Sequence, residues 1–274
     1  MTVNDFIDLK RQGQRITMLT AYDFTTAKIL DQAGVDGILV GDSLGMVVQG
    51  RETTLKVSLD EIIYHAEMVG RAAEHSLIVV DLPFPTHLVG DHEAIAAAAR
   101  ILKETECQTV KLEGGVQQAG TIAALVSAGI PVMGHIGLTP QSVHQFGGYK
   151  VQGKNYLDSR QIRQDARDLQ NAGIFALVME GIPGELAEEI TAELKIPTIG
   201  IGAGLKCDGQ ILVLHDLLGL NQDFVPKFVK QYAQLADSLK SAVSEYIQEV
   251  RDETFPGQEH TYHAKRGVLK QVND

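Results

Sequence analysis

Leu77-Ile78-Val79-Val80-Asp81 is a short apolar run closed by a carboxylate, and the chain repeats that arrangement three more times. Ile38-Leu39-Val40-Gly41 leads to Asp42, Thr109-Val110-Lys111-Leu112 to Glu113, and Phe175-Ala176-Leu177-Val178-Met179 to Glu180. A β-branched run of four or five residues reads as a buried strand. In a barrel of parallel strands the C-terminal ends open on one face, where active sites sit. Four carboxylates would then converge. Close carboxylates repel and require a cation, a shared proton or separation. A hard metal ion is the simplest answer, and it points to an enzyme.

The flanking sequence alternates strands with helices. A leading helix over 4–12 precedes a strand over 16–21, a helix over 24–32 and a strand over 37–41. A polar, glycine-containing stretch runs from Asp42 to Val57. Ser58, with Glu61 three residues on, predicts a capping box that opens a helix over 59–74. The strand at 77–81 is stopped by Pro83 and Pro85, and the alanine-rich stretch 93–103 is a strong helix former. A strand over 109–113, a helix over 117–128 and a strand over 131–135 follow. The long loop from 137 to about 157 contains Phe146-Gly147-Gly148-Tyr149, and long ordered loops are often functional. A helix over 159–172, strands over 175–180, 197–202 and 211–215, a helix over 184–194 and a long helix over 226–250 complete the pattern. Eight strands with intervening helices predict a single (β/α)8 TIM barrel over residues 1–263, with 264–274 as a mobile polar tail. A doubly wound open sheet is the alternative, because local pattern does not count closure.

The 274 residues suit one such barrel, whose usual length is about 250. Tryptophan is absent and aromatics are only 5%, so Val, Ile, Leu and Ala must fill the core, as parallel strands covered on both faces require. A net charge of -11 argues against a nucleic-acid partner or an anionic membrane surface. It leaves room for an anionic small substrate held by a local cation. No stretch approaches the ~18 apolar residues of a membrane span, and MTVNDFIDLKRQGQR lacks an apolar signal core. Cys107 and Cys207 show neither metal spacing nor a disulfide framework. A soluble cytoplasmic protein is expected.

Asp42 and Asp81 are the leading metal ligands, since Mg2+ takes oxygen donors from one or two carboxylates plus waters and substrate. The alternative for each is a helix cap or a loop contact. No His pair or thiolate cluster favours zinc. Lys111 and Glu113 share one strand face by alternation. They either fill the barrel as an ion pair or serve the site, Lys111 binding a substrate carboxylate and Glu113 standing near the metal or its waters. Schiff-base chemistry at Lys111 is a further option. Glu180 reads as a proton-abstracting base or as a loop cap. His135 hydrogen-bonds substrate, orients Glu180, or is a satisfied core histidine; His215 reads as structural. Gly200-Ile201-Gly202-Ala203-Gly204 resembles a phosphate loop, but Leu205 stands where the dinucleotide fingerprint needs glycine, so a tight turn is expected.

Several stretches together are more specific than any carboxylate: Thr20-Ala21-Tyr22-Asp23, Val40-Gly41-Asp42-Ser43-Leu44-Gly45-Met46, Asp81-Leu82-Pro83-Phe84 and Val110-Lys111-Leu112-Glu113-Gly114-Gly115. Gly134-His135-Ile136-Gly137-Leu138-Thr139-Pro140-Gln141-Ser142, Phe146–Gly153 and Asp208-Gly209-Gln210-Ile211-Leu212-Val213 follow in order. From about Thr20 to His263 the chain closely resembles the ketopantoate hydroxymethyltransferase family. The resemblance implies a (β/α)8 barrel of the phosphoenolpyruvate/pyruvate superfamily. It implies a Mg2+-dependent enzyme of pantothenate and coenzyme A biosynthesis that moves a one-carbon unit from 5,10-methylenetetrahydrofolate to 3-methyl-2-oxobutanoate. It implies Asp42, Asp81 and Glu113 around the metal, Asp42, Ser43, Asp81 and Lys111 on the oxo acid, Glu180 as the base, and a homodecamer of two stacked pentameric rings. Pro85–Gly90 departs from a stretch rich in Ser and Tyr in that family, which puts loop contacts in question but not Asp81. Two rival readings are a Mg2+-dependent lyase or mutase of another 2-oxo acid and a non-catalytic barrel.

Overall fold

The computed structural model describes residues 1–264 except 147, 149, 223 and 224. The tail expected to be mobile lies, from residue 265 on, outside the described residues, as do Gly147 and Tyr149 of the long loop. Eight parallel strands close into a barrel in sequence order, β1 (Ile16–Thr20) pairing with β8 (Gly209–Leu212). Between them lie β2 (Gly37–Val40), β3 (Leu77–Asp81), β4 (Thr109–Glu113), β5 (Val132–Gly137), β6 (Ala176–Glu180) and β7 (Thr198–Ile201). The outer layer comprises α2 (Phe24–Ala33), α4 (Leu59–Ala72), α5 (Asp91–Glu104), α6 (Ala119–Ser127), α8 (Tyr156–Ala172) and α9 (Gly184–Glu193). The short α3 (Leu44–Val47), α7 (Val143–Phe146) and α10 (Leu214–Leu217) sit in loops, and α1 (Val3–Arg11) and α11 (Leu235–Arg251) stand at the two ends of the chain.

Closure decides against an open sheet, and alternation divides the core. On β3, Leu77 and Val79 pack inside the barrel, while Ile78 and Val80 join the shell under the helices. The inner cluster also holds Met18, Leu39, Met133, Val178, Ile199 and Ile211. Phe6 of α1 reaches this cluster, fully buried, and meets Phe175 edge-on at 6.3 Å. The leading helix therefore stoppers the barrel at the N-terminal ends of the strands. Gly37 makes room for it, since a Cβ there would stand 2.9 Å from the Phe6 ring.

Helix starts follow the caps. The capping box at Ser58 and Glu61 forms as expected, with both reciprocal hydrogen bonds present. Helix α8 begins at Tyr156 rather than Ser159, because the Asn155 side chain accepts from the Asp158 amide three residues into the turn. The stretch 42–57 contains α3 and a 3-10 turn at Thr54–Lys56, with fully buried Leu44 anchoring it.

Two further expectations are corrected. Strand 8 is Gly209–Leu212, not 211–215, and His215 lies in α10. Asp208 sets that register: its Oδ2 accepts from the Thr198 amide and hydroxyl and from Lys10 Nζ, so pairing starts at once. The long helix begins at Leu235, not 226, because the amides of Tyr232 and Leu235 are taken by the carbonyls of Leu217 and Leu218. Its face of Leu239, Val243, Tyr246, Ile247 and Val250 is exposed, and Ala236 is its buried residue. The glycine run after β7 is a turn whose Gly204 backbone meets Gly184 at the start of α9.

Phe6→Ala removes the stopper and leaves a cavity. It should lower the unfolding free energy by about 3–5 kcal/mol in urea titration. An unchanged midpoint would show that α1 does not stabilise the barrel.

Candidate active site

The alternation that buries Leu77 and Val79 inside the barrel also turns Asp81 inward, one layer nearer the strand C-termini. On the same count Lys111 and Glu113 follow Thr109, His135 follows Met133, and Glu180 follows Ala176 and Val178. Strand register then makes the pairs: Asp81 lies opposite Lys111, and Glu113 opposite His135. Lys111 Nζ stands 2.6 Å from Asp81 Oδ1. His135 Nδ1 is 3.4 Å from Glu113 Oε1, and Nε2 is 3.3 Å from Glu180 Oε2. The barrel interior is thus apolar below and ionic above.

Asp42 enters from just beyond β2, where its amide donates to Asp81 Oδ2 at 3.1 Å. Gly41 permits this approach: a Cβ there would sit 3.0 Å from that same oxygen. Ser43 follows, and its hydroxyl lies 2.8 Å from the hydroxyl of buried Tyr22. Gly137 closes the other side. With φ at +94° and a Cβ position only 2.3 Å from the Glu180 carbonyl, no side chain fits there, and the Leu138 amide donates to that carbonyl instead.

Gln141 joins the set without having been singled out in the sequence. Its side-chain amide donates to Asp42 Oδ2 at 2.9 Å and to the Leu82 carbonyl, and its backbone amide donates to Glu113 Oε2 at 2.9 Å. It ties two carboxylates together from a 3-10 turn, Pro140–Ser142, inside the long loop after β5. Its signals were the length of that loop and its place in the stretch Gly134–Ser142. Tyr22, just after β1, and the buried His87, on the loop after β3, were not singled out either. The site residues Asp42, Ser43, Asp81, Lys111, Glu113, His135 and Glu180 all lie at this one end of the barrel.

Their charges are interdependent. Burial, then the negative charges of Asp81 and Glu113, raise the Asp42 carboxyl above the usual carboxylate range. Asp81 is also raised, by burial against the pull of Lys111. Burial opposes the charge on Lys111, but Asp81, Glu113 and Asp42 outweigh it and push the ammonium above its ordinary value. Glu113 is likewise buried, yet His135, Lys111 and the Gln141 amide hold it below the usual range. Burial and Lys111 disfavour a protonated His135, whereas Glu113 and Glu180 prevail and raise it to about 9. Nδ1 is also 3.4 Å from Lys111 Nζ. The ring thus lies between the carboxyls of Glu113 and Glu180, one facing each ring nitrogen.

The donor set fits a hard divalent cation. Asp42, Asp81 and Glu113 offer oxygens and no thiolate is near; Asp42 is raised first by burial and then by the charges of Asp81 and Glu113, which a cation would offset. Among the described residues no three His, Cys, Asp or Glu side chains form a ready-made cage.

Ionic chemistry confined to the strand C-termini of a closed parallel barrel defines a (β/α)8-barrel enzyme. The model of the ketopantoate hydroxymethyltransferase family matches residues 1–258, and the chain belongs to that family. It is 52% identical to the 3-methyl-2-oxobutanoate hydroxymethyltransferase of Clostridium beijerinckii over 99% of this chain and 98% of the relative. It is 49% identical to that of Enterococcus faecalis with the same coverage. Solved structures share the fold at low identity. Phosphonopyruvate hydrolase gives a TM-score of 0.61 at 12% identity, covering 95% of this chain and 93% of the other. 2,3-Dimethylmalate lyase, a PEP mutase/isocitrate lyase superfamily member, gives 0.59 at 15%, covering 99% and 93%. These relatives support a hydroxymethyltransferase of the pantothenate pathway.

Lys111→Met deletes the cation among buried carboxylates. It should destabilise the fold by about 3–5 kcal/mol at neutral pH. Because Asp42 and Asp81 titrate above their unfolded values, the loss should shrink as pH falls and they take up protons. Urea unfolding at pH 7 and pH 5 checks both statements; equal losses at the two values would contradict this charge balance.

Proposed function

We propose that the protein transfers a hydroxymethyl group from 5,10-methylenetetrahydrofolate to 3-methyl-2-oxobutanoate, giving ketopantoate, with Mg2+ as the resident cofactor. The observation that carries the reading is Glu180: it borders the buried ionic layer, 16% exposed, with Oε2 held 3.3 Å from His135 Nε2. A carboxylate so placed can reach a substrate seated over Lys111. Glu180 takes the C3 proton, acting as a positioned general base. The His135 ring, with Nε2 3.3 Å from Glu180 Oε2, shares the charge change as the proton arrives. Lys111 and the Ser43 hydroxyl bind the substrate carboxylate and keto oxygen, with Tyr22 orienting Ser43.

Asp42 and Asp81 would hold Mg2+, with Glu113 beside its waters. Bound there, the ion acts as a Lewis acid toward the charge that develops on the keto oxygen when C3 loses its proton. The carbon nucleophile then forms a C–C bond to the folate methylene carbon as one of that carbon's two C–N bonds breaks, the nitrogen taking the electron pair and the proton removed from C3. Water adds its oxygen to the same carbon as the second C–N bond breaks; that nitrogen takes one proton of the water, the product keeps the other as its hydroxyl, and tetrahydrofolate leaves.

The exposed apolar face of α11 supports a homo-oligomer, and the family suggests a decamer. Two buried thiols without a disulfide suit a cytoplasmic setting. Among the described residues no helix is long and apolar enough to cross a membrane.

In D2O with Mg2+ and 3-methyl-2-oxobutanoate, NMR should show loss of the C3 proton, and ketopantoate should appear once methylenetetrahydrofolate is added. Glu180→Gln should slow exchange by about 10²–10⁴; near wild-type exchange would remove Glu180 from the base role. Asp42→Asn and Asp81→Asn should weaken Mg2+ binding in calorimetric titrations. Unchanged curves for both would move the ion elsewhere.

A further inference from the structure

The carboxylates of the ionic layer are pinned oxygen by oxygen. Asp81 Oδ1 faces Lys111 Nζ at 2.6 Å, and its Oδ2 accepts from the Asp42 backbone amide at 3.1 Å. Glu113 Oε1 faces His135 Nδ1 at 3.4 Å, and its Oε2 accepts from the Gln141 backbone amide at 2.9 Å. Asp42 Oδ2 accepts from the Gln141 side-chain amide, also at 2.9 Å. The sixth oxygen, Asp42 Oδ1, has no hydrogen-bond donor among the described residues. Asp42 can therefore give a cation one oxygen outright, and its second only by giving up the bond to Gln141.

Gln141 holds that bond firmly. It is buried, and its Nε2 also donates to the Leu82 carbonyl at 3.1 Å. Both neighbours of Nε2 are acceptors, so a reversed amide would set oxygen against oxygen. Swinging aside would strand buried polar groups, which is costly. Among the pinning groups Lys111 and His135 are ionisable, and the Asp42 N–H is backbone. The Gln141 side chain is the neutral one, so it can be replaced without changing the charge of the layer.

Divalent cations differ in what they ask of a carboxylate. Mg2+ demands a near-ideal octahedron at about 2.0–2.1 Å, whereas Ca2+ takes about 6–8 oxygens at about 2.3–2.6 Å and accepts both oxygens of one carboxylate. Those two oxygens lie too close together to fill two corners of the smaller octahedron. We infer that Gln141 is a specificity-determining residue for the cation: by holding Asp42 Oδ2 it keeps Asp42 a one-oxygen ligand and so selects Mg2+ over Ca2+. This rests on the Mg2+-dependent reaction proposed above. Gln141 is a positioning residue and acts through Asp42, as partners behind a metal ligand do.

The test is calorimetric titration of the metal-free full chain with MgCl2 and, separately, with CaCl2. Wild type should prefer Mg2+. Gln141→Met keeps the length of the side chain and the backbone bond to Glu113 but removes the donor to Asp42. It should weaken Mg2+ binding by about 10–100-fold while Ca2+ binding weakens less or strengthens, so that the preference falls at least about tenfold. Equal weakening of both ions, as a merely structural role would give, or an unchanged preference overturns the inference and leaves the reaction standing. Wild-type protein that binds the two ions alike also overturns the selection alone. Wild-type protein that binds neither overturns the Mg2+ reading together with it. If Gln141→Met does not fold, Gln141→Asn carries the same test, because its amide is one methylene too short to reach Asp42.

Discussion

A lysine ammonium at 4% exposure is tolerable only with its counter-charge in place, and Lys111 has Asp81 at 2.6 Å. That pair constrains everything around it. β3 and β4 must hold the register that sets residues 81 and 111 side by side. Gly41 must lack a side chain so that the Asp42 amide can share the second Asp81 oxygen. Glu113, two residues beyond Lys111 and on its face, adds negative charge that His135 and Gln141 answer. A slip of one residue in either strand would turn the ionic layer toward the helices and the apolar layer into the mouth. Stability and chemistry therefore rest on the same register.

Much of this was legible in the chain, for a physical reason. β3 and β4 are buried on both faces, so Leu77–Asp81 and Thr109–Glu113 are unbroken runs whose ends match the structure residue for residue. Asp81, Lys111, Glu113, His135 and Glu180 sit on strands, where parity alone fixes the face. Elements whose limits depend on distant partners were not legible. Asp208, through Thr198 and Lys10, starts β8 early, and the carbonyls of Leu217 and Leu218 delay α11. Gln141, Tyr22 and His87 reach inward from loops, where no period marks the facing side.

The upper layer is also crosslinked by hydrogen bonds between segments far apart in the chain. Gln141 alone joins the loop after β5 to Asp42 after β2 and to Glu113 on β4. Such bonds hold side-chain oxygens in place before any ligand arrives, which reduces the reorganisation that charge development demands.

The stopper formed by Phe6 has a kinetic meaning. A barrel shut at its base has one doorway, and the ionic layer is its floor. A molecule seated on that floor would come and go by the strand C-terminal side alone.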